Sequence, residues 1–141
     1  MLFRSLGTWR GSASEQWLPG KSTLNQVFMS IQSIILIEHP FFNEPSDERK
    51  IGTSQGKKQS ESYNRNIRLY TMQHAMSDLI EKPMQLAGFS NVIKNHFKLK
   101  KDHILKITRE WTEAVSKETL PSVRQAYERE YKRLEDNLNK L

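Results

Sequence analysis

Four histidines, His39, His74, His96 and His103, are the only imidazoles in a 141-residue chain that contains no cysteine. No two of them stand four residues apart, the spacing that would put a ligand pair on one helix face, so the pattern offers no metal site. With no thiol there is also no disulfide and no sulfur nucleophile. No serine, histidine and aspartate share a spacing that reads as a catalytic group. Gly52-Thr53-Ser54-Gln55-Gly56-Lys57-Lys58 glances at a phosphate-binding loop and fails it twice. Three residues rather than four separate the glycines, and Lys58 stands where a Mg²⁺-binding hydroxyl is needed. It reads as a polar loop, and no cofactor is expected.

The composition bounds what must position any site. Hydrophobic residues make up 36% and charged residues 27%, which suits one folded domain with a lean core. The net charge of +6 suits an acidic partner, nucleic acid or an anionic surface. Residues 1–90 hold 10 basic against 8 acidic side chains and residues 91–141 hold 12 against 8. Neither half is dominated by one sign, so the charge reads as solvated surface and nucleic-acid binding is disfavoured. The most apolar stretch, 24–37, is shorter than the roughly 20 residues a membrane span needs and includes Asn25, Gln26, Ser30, Gln32 and Ser33. It reads as a buried helix, and no membrane partner is expected. Residues 1–10 do not form a secretory leader. The expected location is the cytoplasm, with the nucleus also open.

Periodicity organises the chain as mainly α. Gly7, Gly11, Pro19 and Gly20 punctuate an irregular start anchored by Trp9 and Trp17. Ser22 or Thr23 can cap a helix over about 22–37, with Leu24, Val27, Phe28, Ile31, Ile34 and Ile35 inward. A loop is expected over 38–59. A helix over about 62–82 follows, with Tyr63, Ile67, Tyr70, His74 and Leu79 near one face and Pro83 at its end. Two more are expected over about 89–99, presenting Phe89, Val92, Ile93, His96 and Phe97, and over about 102–118, capped by Asp102. The latter turns Ile104, Leu105, Thr108, Trp111 and Val115 inward. The last, over 121–141, begins with a capping-box pattern, Ser122-x-x-Gln125. Its stripe of Val123, Tyr127, Tyr131, Leu134, Leu138 and Leu141 is spaced like a coiled-coil seam, which makes self-association through 121–141 an expectation.

The order of motifs carries a resemblance. Leu6-Gly7-Thr8-Trp9 precedes Glu15-x-Trp17-x-Pro19, then Ser22-Thr23-Leu24-x-Gln26-Val27 and Ser30-Ile31-Gln32-Ser33. Pro40-x-x-Asn43-Glu44-Pro45, Gly52-Thr53 and Tyr63-Asn64 follow. Over residues 1–115 this resembles the C-terminal half of the ubiquitin-conjugating (UBC) core domain, above all the branch in large hybrid conjugating enzyme–ligases such as BRUCE or apollon. The implied fold is the C-terminal helical part of a UBC-like α+β domain without its N-terminal helix and sheet, with 121–141 as an added amphipathic helix.

The resemblance also implies roles. The helix at 22–37 corresponds to the crossover helix against which donor ubiquitin packs, so Met29 and Ser33 are the ubiquitin-contact candidates. Asn43 and Glu44 correspond to the acidic gate, where Glu44 would orient or deprotonate an incoming lysine. The family's cysteine position matches Leu2, which has no nucleophilic atom. The expectation is a truncated or degenerate UBC domain of the ubiquitin transfer pathway, inactive alone, with ubiquitin and ubiquitin-pathway proteins as partners. A non-catalytic helical ubiquitin- or ligase-binding module is the alternative, with a basic helical nucleic-acid binder behind it.

Overall fold

The computed structural model describes residues 17–82, 88–115 and 120–141. They are helical, with no strand among them. They divide into two compact units, 1–64 and 65–141. Leu2 and the Leu6-Gly7-Thr8-Trp9 motif lie outside the described residues, as does the Pro83 stop.

In the first unit, α1 spans Leu24–Ser30. Of the two candidate caps it is Thr23 that serves: its hydroxyl accepts from the Gln26 N–H at 3.3 Å, and the Gln26 carboxamide accepts from the Thr23 N–H at 2.8 Å. This reciprocal box satisfies two donors that would otherwise be orphaned. The helix then widens into a π segment, Ile31–Ile35, closed by the Leu36 N–H on the Ile31 carbonyl at 3.0 Å. The set expected to face inward is not buried. Leu24 and Phe28 are 64% and 63% exposed, Ile34 and Ile35 are also exposed, and Val27 and Ile31 are only half-buried. Apolar periodicity demands a cover, and the described residues give α1 only part of one.

The expected loop at 38–59 holds more structure than its composition suggests. Two 3₁₀ turns, Pro40–Asn43 and Asp47–Lys50, lead into α2, Ser54–Tyr70, which begins eight residues before the expected start. The Thr53 hydroxyl accepts from the Gly56 N–H at 3.0 Å, so the stretch expected to be a polar loop is a helix cap and first turn. Gly56 is buried because the Lys50 backbone lies where a β-carbon would project.

In the second unit the end of α2 passes into a π segment, Thr71–Ser77, and on into the short α3, Asp78–Glu81. The widened turns shift the inward face. Met72 and Ser77 are buried, while Ile67 and Tyr70 of the expected face lie exposed. Residues 90–113 form one helix, α4 (Ser90–Glu113), where a break before Asp102 was expected. Neither glycine nor proline interrupts Leu99-Lys100-Lys101-Asp102, so a capping residue alone does not end it. Phe89 and Val92, expected inward, are 62% and 63% exposed, and Phe97, Ile104 and Thr108 carry the buried face.

The last helix, α5, spans Pro121–Asn139 and starts on Pro121, which suits a first helical position; Ser122 makes no cap. Half of its stripe is buried inside the unit. Tyr127, Leu134 and Leu138 are each at most 1% exposed and form one cluster with Met72, Phe97, Ile104 and Val115. The Tyr127 hydroxyl donates to the Arg65 carbonyl at 2.6 Å. Tyr127, Leu134 and Leu138 of the expected seam are therefore covered by α4 and the π segment, while Val123, Tyr131 and Leu141 are half-buried.

Candidate functional site

The candidate site is the edge formed by α1, its π segment and the turn at Pro40–Asn43, all in the first unit. Met29 is 56% exposed. Ser33 is also exposed, and its hydroxyl donates to the Met29 carbonyl at 2.7 Å. The two residues are therefore neighbours on one helix flank, with the Ser33 oxygen still able to accept. The Asn43 carboxamide donates to the Ile34 carbonyl at 2.7 Å, tying the turn to the end of the π segment. Asn43 is thus occupied in holding backbone. Glu44 follows it, exposed, with its N–H on the Phe41 carbonyl at 3.5 Å and its own carbonyl accepting from Asp47 at 3.1 Å. Its carboxylate has no partner among the described residues and is free to meet a cation.

The turn that presents Glu44 is anchored from α2. Asn64, only 7% exposed, donates to the Glu38 carbonyl at 2.8 Å. The buried Ser60 hydroxyl meets Nδ1 of His39 at 3.2 Å. Phe41 packs against Phe42 and Tyr63, with ring centroids 5.3 and 6.0 Å apart, and Lys50 sits over the Phe41 ring at 5.6 Å. Lys50 also pairs with Asp47 at 2.6 Å. Periodicity alone missed Ser60 and Asn64 as anchors, although Tyr63-Asn64 stands out as a motif.

An open cleft of about 440 Å³ lies beside this anchor, lined among others by His39, Phe42, Ile51, Lys57 and Glu61. It contains a Ser–His contact, but Ser60 is 2% exposed and no carboxylate among the described residues orients His39. As a nucleophile it lacks both access and a third member. The remaining histidines stay apart: His74 meets Asp78 at 2.9 Å in the second unit, His96 lies edge-on to Phe97, and His103 is exposed. No three potential ligands converge on a metal-sized site among the described residues. What this edge offers is a positioned carboxylate and an exposed helix flank.

Comparison with curated proteins defines the class: several ubiquitin-conjugating enzymes match, and over about three quarters of its length the chain is similar to part of them. A probable ubiquitin-conjugating enzyme of Acanthamoeba polyphaga mimivirus is 47% identical over 106 residues, which is 75% of this chain and 7% of that protein. The dual E2 ubiquitin-conjugating enzyme/E3 ubiquitin-protein ligase BIRC6 of Homo sapiens is 42% identical over 106 residues, 75% of this chain and 2% of that protein. A probable ubiquitin-conjugating enzyme of Caenorhabditis elegans is 41% identical over 111 residues, 79% of this chain and 15% of that protein. The chain thus spans a small fraction of the length of the curated relatives it matches. No family model matches it.

Proposed function

We propose that these 141 residues provide the ubiquitin-facing helix and acidic gate of a ubiquitin-conjugating domain, and that they take part in transfer only when another polypeptide segment supplies the thiol. The observation that carries this reading is the pairing of similarity to ubiquitin-conjugating enzymes with a complete absence of cysteine. Thioester formation needs a thiolate to attack the C-terminal carbonyl of ubiquitin, and no residue of this chain supplies one. The bare apolar side of α1 supports the same reading, because Leu24 and Phe28 stand ready for a cover. Met29 and Ser33 would then meet donor ubiquitin. Glu44, unpaired and exposed, would orient an incoming lysine or take its proton.

Mixing the chain with activating enzyme, ATP and ubiquitin tests the first half of the proposal. No reductant-sensitive adduct is expected, and such a band would overturn it. The second half is tested by adding, as a separate polypeptide, the sheet and cysteine of a homologous domain. Reductant-sensitive loading of that cysteine should rise with this chain present and fall back in Phe28→Asp. A chain that binds ubiquitin directly and leaves loading unchanged would instead identify a non-catalytic ubiquitin-binding module.

A further inference from the structure

The charge of this chain is concentrated once α4 is recognised as one helix. Residues 94–109 carry Lys94, Lys98, Lys100, Lys101, Lys106 and Arg109 against the single acid Asp102. The rest of the chain holds 16 basic and 15 acidic residues, so nearly all of the net +6 lies on about 22 Å of one helix. The five lysines have no ion-pair or hydrogen-bond partner among the described residues, and only Lys101 is even half-buried. Arg109 differs: it donates to the Tyr131 hydroxyl at 3.0 and 3.1 Å and lies 3.9 Å from Glu135. The free cations are therefore all flexible point charges, without the rigid fork that reads phosphate or carboxylate bidentately.

Two aliphatic side chains stand on the same helix, away from the buried row of Phe97, Ile104 and Thr108. Val92 is 63% exposed and Leu99 is 84% exposed, one heptad apart. A phosphodiester backbone offers nothing to cover them, whereas an acidic protein segment with occasional apolar side chains satisfies both features. We infer that the outer surface of α4 around Leu99 is a docking surface for an acidic, leucine-bearing segment of a partner protein. Carboxylates neutralise the lysines there, and an apolar side chain covers Leu99.

Fluorescence anisotropy of the full chain decides it. The probes are a labelled glutamate peptide with leucines at heptad spacing, the same peptide without leucines, duplex DNA, and phosphatidylcholine vesicles containing phosphatidylserine. The leucine-bearing peptide should bind and weaken as salt rises. Lys98→Glu with Lys100→Glu should weaken it by about tenfold, the scale expected when two exposed attractions become repulsions. Leu99→Ser should erase the preference for the leucine-bearing peptide and leave the all-glutamate peptide unaffected. All of these side chains are exposed, so far-UV circular dichroism and the thermal midpoint should not move. Failure of the leucine-bearing peptide to bind, equal affinity for both peptides in the unmodified chain, or preferential capture of DNA or vesicles would each overturn the inference.

Discussion

The carboxamide of Asn64 reaches back 26 residues to donate to the carbonyl of Glu38 at 2.8 Å, from a side chain that is nearly buried. This bond fixes where the turn bearing Asn43 and Glu44 leaves the helix. Asn64→Ala should destabilise the first unit by about 1–3 kcal/mol, since a backbone acceptor is left without its donor. Hydrogen exchange localised to residues 38–44 measures it. Unchanged protection there would show that His39 and the Phe41 ring hold the turn by themselves.

Gly56 should resist substitution although it lies in a helix, where alanine is normally preferred. The added β-carbon would press on the Lys50 backbone, and backbone moves less readily than a side chain. Gly56→Ala is expected to cost about 1–3 kcal/mol, as overpacking does. A denaturant titration that finds it neutral or stabilising would mean the turn at Asp47–Lys50 gives way.

Acid should weaken the second unit through a defined pair of carboxylates. Arg133 donates to Glu81 and Asp78, and Asn137 donates to Glu81 at 2.8 Å. The Arg133 hydrogen bonds, with Asn137, pull Glu81 from its ordinary 4.5 to about 2. The hydrogen bonds from His74 and then Arg133 lower Asp78 as well. Both shifts are depressions, so their stabilisation is present above the unfolded carboxylate range and is lost as pH falls from about 4.5 towards 2. Thermal midpoints measured across that window should drop, and Arg133→Met should flatten the slope.

Leu134→Ala should be the most damaging change in α5. Its side chain is 0% exposed in the cluster with Tyr127 and Leu138, so truncation should cost about 2–5 kcal/mol. Phe28→Asp, on a side chain 63% exposed, should shift stability by no more than about 0.5 kcal/mol. It should instead reduce binding of an apolar dye such as ANS. A large loss of stability in Phe28→Asp would mean that α1 is covered after all.

How far the fold was legible follows from which signals are local. The start of α1 was legible to within one residue, as Ser22 or Thr23, because a cap is a local signal; the structure adds that Gln26 completes a box on Thr23. The two π segments have no comparable signature, and they rotate faces away from a strict 3.6 period. The segment Thr71–Ser77 places the buried Met72 and Ser77 five residues apart, a spacing no regular α-helical pattern anticipates. Apolar content foretold that Tyr127, Leu134 and Leu138 need cover, but not that α4 would supply it. Motif resemblance is what singles out Asn43 and Glu44 as candidates. Their anchors, Ser60 and Asn64, are polar residues that no hydrophobic pattern can single out.

The bond from the Tyr127 hydroxyl to the Arg65 carbonyl joins positions 62 residues apart, and one of its ends belongs to the last helix. On a growing polypeptide the first unit, whose side-chain anchors span at most 26 residues, can settle while α5 is still being made. The second unit has to wait. Until α5 is made, Met72, Phe97 and Ile104 lack the side chains of Tyr127, Leu134 and Leu138 that complete their cluster.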